Sequence, residues 1–338
     1  MVHARPSAVA VATVAALALT GLHGVALSQS LLERPPNLSG GWVGTRGTLQ
    51  FNFVHRFGIS DAPLRKVTNS PTFLLAYQLP VPLLVGVNFA TSSDVAPAFP
   101  NEWEAFARYA RSGVALQLGY NQAARSADAE LTGSRTMGAL RVMAVGRVLS
   151  KGYASDTTRY AVGGGATLRL HRWIALAGDV ATLLDRRSNE QVAWGAGLQI
   201  AIPYSPHTFS LQVTNTNTAT LQGASRGIDR VRGGFEFTIP FTLNRYFGGR
   251  PSGGTASGTK VEMRELAFRP GRLEASVGAT VEWTNRDQVV HTVTGDDGSW
   301  DSGPIEPGTT WRHTFERVGE YSFHCTPHPF MKGVVVVR

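Results

Sequence analysis

The sequence predicts an all-β protein in two parts: a transmembrane-type antiparallel β-barrel, then a small Greek-key β-sandwich. Three observations lead there. Segments of about ten residues with period-two alternation follow one another through residues 31–247, and no amphipathic helix interrupts them. A Gly/Ser-rich break follows, and after it come shorter strands divided by Pro-Gly and Gly turns.

The first thirty residues, "MVHARPSAVAVATVAALALTGLHGVALSQS", carry early basic residues, a short apolar run and a small-residue site near Ala26 to Ser28. This is the pattern of a signal peptide over residues 1–28, because the apolar run is too short for a spanning helix. The competing reading is a buried N-terminal helix. The expected mature chain begins near Gln29 and works outside the cytoplasm. Among 338 residues there is one cysteine, Cys325, so a disulfide framework is excluded and a lone exported thiol points to metal ligation. No apolar run after Ser28 is long enough for a transmembrane helix, so membrane residence requires a barrel.

The formal net charge is +8. Residues 260–338 hold nine Lys/Arg against eleven Asp/Glu, so the positive excess belongs to the earlier part. There it is scattered as single Arg residues, which argues against a nucleic-acid partner.

In the predicted barrel, "TLQFNFVHRF" sets Leu49, Phe51, Phe53 and Phe57 against Gln50, Asn52 and Arg56. "LLVGVNFA" sets Leu83, Val85, Val87 and Phe89 against Gly86, Asn88 and Ala90, and "VALQLGYN" alternates likewise from Val114. "VAWGAGLQIAI" and "VRGGFEFTIPF" continue the pattern, and about ten to twelve such strands are expected. A pair of water-soluble sandwiches would also alternate. Strand length near the nine to eleven residues of a tilted bilayer crossing, and large apolar groups opposite Gly, Ala, Asn, Gln and Arg, favour a membrane barrel. The region resembles bacterial outer-membrane barrels in its aromatic-terminated final strand, "FTLNRYF", with "VHRFG" near its start and "NEWEAFARY" near its middle. That likeness is general and implies an outer-membrane location with lipid around the barrel.

Residues 248–259, within "FGGRPSGGTASGT", read as a flexible linker. Residues 260–338 follow, and their last stretch contains "HCTPHPFMKG" just before "VVVV". Cys325, His328 and Met331 recur at three-residue spacing across one tight loop, and His291 closes "NRDQVVH" upstream. A thiolate, two imidazoles and a distant thioether form the trigonal set with weak axial Met of an electron-transfer copper site. The blander readings are a Cys acting as a small buried hydrophobe, Met331 as plain core, and zinc on two His and one Cys, although Met is a poor zinc ligand. His313 and His324 read as surface residues.

These residues resemble the plastocyanin/azurin (cupredoxin) family, and "CTPHPFM" is similar to the short ligand loop of the amicyanin and pseudoazurin-like group. The resemblance implies one copper ion, cycling between Cu(I) and Cu(II), held by His291, Cys325, His328 and Met331. It implies that Asn285 ties the two ligand loops together near the Cys. Pro327, Pro329 and Phe330 are expected to collar the exposed edge of His328, where electrons pass. The expected function is one-electron transfer in the periplasm, with a redox protein there as partner and the barrel as tether. The alternative is copper delivery, with the barrel as anchor or pore. An enzyme is set aside, because a dinuclear electron-transfer centre needs a second Cys and multicopper catalysis needs more His clusters.

Overall fold

Alternating strands of this kind pair edge to edge until no edge is left, and twelve of them do so here. The computed structural model describes residues 31–338 except 45–46, 61, 80, 97–99, 203–204 and 243–254. The expected signal peptide at 1–28 and the linker through 254 lie outside the described residues.

The barrel strands are β1 (Thr48–Ile59), β2 (Val67–Gln78), β3 (Leu83–Ala90), β4 (Glu102–Arg111), β5 (Val114–Asn121) and β6 (Ser126–Met137). They continue as β7 (Leu140–Leu149), β8 (Arg159–His171), β9 (Ile174–Leu183), β10 (Ala193–Ala201), β11 (Thr208–Thr214) and β12 (Arg232–Thr242). Each pairs with its sequence neighbours, and β12 closes on β1. β3 and β5 fall where the alternation places them. β8 escaped it, because "VGGGATL" offers no large apolar set.

The barrel is inside-out relative to a water-soluble protein. Gln50, Asn52 and Arg56 of β1 are buried in the lumen, whereas Leu116, Leu118 and Tyr120 of β5 face outward and are 44–57% exposed. Connections differ at the two ends. The short-turn end has connections of two to six residues, after β2, β4, β6, β8 and β10, and the loop end has connections of four to seventeen, after β1, β3, β5, β7, β9 and β11. With an even strand number, β1 begins and β12 ends at the short-turn end. Aromatic side chains face outward near both ends: Tyr77, Tyr109, Phe209 and Phe241 towards the short turns, and Phe89, Trp103, Tyr120, Tyr160 and Trp194 towards the loops.

The C-terminal unit has two sheets. One orders β13 (Thr255–Ser257), β16 (Arg272–Ala275), β21 (His328–Val337), β20 (Gly319–Cys325) and β18 (Thr294–Gly295). The other orders β15 (Ala267–Arg269), β14 (Lys260–Arg264), β17 (Thr280–Asn285) and β19 (Thr310–Thr314). Strand β13 falls inside the stretch expected to be linker. It pairs in parallel with β16 through its backbone, a bond that needs no apolar alternation and so leaves no composition signal. Between the sheets lie Val261, Met263, Phe268, Leu273, Val281, Trp283, Phe315 and Phe323, joined by Val335 and Val337 of the terminal valine run. Cys325 and Met331 belong to the same buried cluster, which sets the ligand loop on the core.

Candidate metal centre

Strands β20 and β21 form a tight antiparallel hairpin in which Cys325 pairs with His328, leaving only Thr326 and Pro327 at the tip. A register irregularity between His324 and Cys325 marks the point where the strand leaves regular pairing. His324 stays on the outer side, its Nδ1 2.6 Å from Asp296 Oδ1. His313 stacks on Trp300 and Trp311. Neither joins the centre, as the sequence suggested.

The third ligand arrives on the segment after β17. The Asn285 amide donates to the carbonyls of Val289 and Ile305 at 2.8 and 2.9 Å, and its Oδ1 accepts from the Asp287 N–H at 2.9 Å. These bonds curl residues 286–290 so that His291 pairs through its backbone with Ile305. Asp287 in turn accepts the backbone N–H groups of Glu265 and Leu266 at 2.7 and 2.9 Å, and lies 2.9 Å from His291 Nε2. A carboxylate only accepts, so Nε2–H donates and Nδ1 is left with a lone pair aimed at the site.

The convergence is complete for three donors. Cys325 Sγ lies 3.6 Å from His291 Nδ1 and 3.4 Å from His328 Nδ1, and the three ligand atoms all lie within 4.8 Å of one another. An ion held at ~2.0 Å from nitrogen and ~2.3 Å from sulfur would require N···S edges of about 3.5–3.8 Å, so the two sulfur–nitrogen edges here are close to those of a shared metal ion. Met331, 2% exposed, belongs to the same buried cluster as Cys325, three residues beyond His328. Two imidazoles, one thiolate and a nearby thioether suit copper.

Electrostatics prepares the thiol. Burial pushes Cys325 up, but its contacts with the imidazoles of His291 and His328 and with the Thr292 N–H outweigh burial and bring the group down to about 6. For His291, burial acts to lower the pKa, and the bonds to Asp287 and Cys325 reverse the balance so that it is raised.

Two expectations change in detail. Asn285 shapes the segment carrying His291 and makes no bond to the Cys; the two ligand loops are tied by Thr292 instead. Its N–H lies 3.3 Å from Cys325 Sγ, and its Oγ1 accepts the Thr326 N–H at 2.8 Å. The position directly after the upstream His was the available signal. Asp287 also escaped sequence reasoning, and its spacing four residues before His291 was the clue. The second change is at His328, which was expected to show an edge. It is 6% exposed, and its Nε2 has no hydrogen-bond partner among the described residues. Pro327 is half-buried and Pro329 exposed, while Phe330 is 46% exposed and meets the His328 ring edge-on at 6.0 Å.

Residues 256–338 match the family described as copper binding proteins, plastocyanin/azurin family. Over 83 residues the chain is 39% identical to amicyanin from Paracoccus denitrificans, covering 23% of this chain and 63% of that relative. Over 93 residues it is 33% identical to amicyanin-alpha from Methylorubrum extorquens, covering 25% of this chain and 74% of the relative. Among solved structures, a purple cupredoxin from Nitrosopumilus maritimus aligns at 29% identity and a TM-score of 0.23, covering 24% of this chain and 100% of that one. Through its C-terminal domain, the chain belongs to the plastocyanin/azurin family of copper binding proteins.

Proposed function

We propose that the protein is a one-electron carrier of the periplasm, a type 1 copper domain tethered to the outer membrane by its β-barrel. The observation that carries this reading is the convergence of Cys325 Sγ with the Nδ1 atoms of His291 and His328. Copper bound there supplies a couple between two oxidation states that share one trigonal ligand set.

The chain's own part is to hold that set still. Asp287 fixes the His291 ring, and the two-residue tip locks His328 opposite Cys325. The Thr292 N–H accommodates negative charge on sulfur, and burial keeps water from the donors. A site that does not rearrange favours rapid passage of an electron and leaves no open position for a substrate, in keeping with a carrier rather than an enzyme. Pro329 and Phe330, exposed beside His328, offer an apolar contact for a redox partner.

The outward apolar belt, the two aromatic levels and the polar lumen support a lipid-spanning barrel. Barrels of this class put short turns towards the periplasm and long loops outside. Both barrel termini lie at the short-turn end, which supports a periplasmic origin for the linker. Copper delivery through the barrel is less favoured, because the described lumen wall carries Asn, Gln, Thr, Arg and Glu and no His or Cys.

The test is spectroscopic. Full-length protein loaded with Cu(II) is expected to show an intense visible thiolate-to-copper band that Cys325→Ser abolishes. A Cys325→Ser protein that keeps the band would remove the site from consideration.

A further inference from the structure

The segment ahead of β1 is not an external arm. Leu32, Asn37, Leu38, Trp42 and Val43 are each at most 8% exposed although the barrel wall closes without them. Asn37 uses every polar group it has. Its backbone N–H and Nδ2 donate to the two Asp179 carboxylate oxygens, both at 2.9 Å, and Oδ1 accepts from Arg56 Nη2 at 2.9 Å and Thr216 Oγ1 at 2.8 Å. Its carbonyl accepts from Arg147 Nη2 at 3.3 Å. Further along, Ser39 donates to Glu130 at 2.6 Å, and the Trp42 carbonyl accepts from Arg108 at 2.9 Å.

The wall is also cut to shape. A Cβ at Gly195 would sit 2.5 Å from Asn37 Nδ2 and 3.1 Å from Pro36 Cβ; one at Gly197 would sit 3.3 Å from Pro36 Cγ, and one at Gly165 would sit 3.2 Å from Leu38 Cδ1. Three glycines on β8 and β10 therefore leave a groove that Pro36, Asn37 and Leu38 fill. From the opposite end, loop 215–231 folds inward onto the same arginines. Arg56 Nη1 donates to Thr216 Oγ1 and the Thr218 carbonyl at 2.6 and 2.8 Å, and Arg147 Nη1 donates to Ser225 at 3.0 Å. One cavity between the two pieces, lined by Asn37, Trp42, Glu104, Arg108 and Leu221, measures ≈ 50 Å³, room for a few waters.

We propose that the lumen is a peptide-binding site whose ligand is the chain's own segment 32–43, and that this segment and loop 215–231 together close the barrel. This rests on the membrane-barrel reading and decides between its two roles, giving an anchor and not a pore. The closed lumen gives the buried Arg and Asp side chains partners that an open channel would have to replace with water.

The test uses the full chain in lipid bilayers and a single reporter thiol, Leu38→Cys in a Cys325→Ser background. The unaltered protein should pass no steady ion current, and a membrane-impermeant maleimide should react with the folded reporter at least tenfold more slowly than with the urea-unfolded one. Adding Gly195→Leu, which fills the groove, should speed labelling at least tenfold. Asn37→Ala, which leaves the wall intact, should act in the same direction and serves if the groove variant fails to fold. Steady conductance by the unaltered protein would overturn the proposal. So would fast labelling of the folded reporter, or unchanged labelling in a folded variant. A heat-modifiable band on gels reports the folded barrel separately, so its absence from every sample would count against the barrel reading itself.

Discussion

At the scale of single residues, the centre depends on side chains that hold its ligands as well as on the ligands. Asp287 accepts from two backbone amides and from His291, so one carboxylate couples the turn after β14 to the orientation of a ligand ring. Removing such a partner ordinarily costs 10–100-fold in metal affinity. Asp287→Ala is expected to weaken copper binding by about that factor while keeping the visible band, as read by competition with a chelator. Met331 makes the opposite prediction. Met331→Leu keeps the volume and removes the sulfur, so copper should remain in the plane of His291, Cys325 and His328 with its potential raised, because the oxidised state loses a donor. Voltammetry separates this from a purely packing role, for which the midpoint would not move. The candidate ligands were legible in the sequence because three of them fall in seven consecutive residues around the chain's one Cys. Asp287 and Thr292 were not, because their roles depend on where β14 and the hairpin tip come to lie.

At the scale of elements, the β20–β21 hairpin carries both the ligand loop and a large share of the core. Phe323 and Gly333 are cross-strand partners, and a Cβ at Gly333 would lie 2.4 Å from Phe323 Cζ. Gly333→Ala should therefore push Phe323 out of its place beside Phe268 and Trp283 and cost about 1–3 kcal/mol of stability. The check is a lower urea midpoint for loss of the visible band; an unchanged midpoint would mean that the ring has room to move. Among the barrel strands, β1, β3 and β5 could be read directly, because large apolar and polar residues alternate without interruption. The glycine run of β8 hid a strand; a Cβ at Gly163 or Gly165 would meet the backbone of β9 at 2.6 or 2.8 Å, and one at Gly165 would also meet Leu38 at 3.2 Å. That segment, residues 32–43, was itself unreadable as an inner element because it has neither strand nor helix periodicity. It is recognised by its partners Asp179, Arg56 and Arg147, more than a hundred residues away in two of the three cases.

At the scale of the whole molecule, two units with opposite relations to solvent share one chain. The C-terminal unit buries its apolar residues between two sheets, as a water-soluble domain does, while the barrel turns Leu, Val, Phe and Tyr outward and keeps its Arg, Glu and Asn within. The Gly/Ser-rich stretch led the sequence reading to expect two β units, and β13 lies within that stretch, paired in parallel with β16. The proposed function joins the two units as a copper centre that an outer-membrane anchor would keep in the periplasm. The most direct measurement is electron paramagnetic resonance on washed outer-membrane and soluble fractions from copper-supplied cells expressing the full chain. The expected result is a type 1 copper signal that sediments with the outer membrane, disappears on reduction and returns on reoxidation. A type 1 signal confined to the soluble fraction, or none in cells that make the protein, would contradict it.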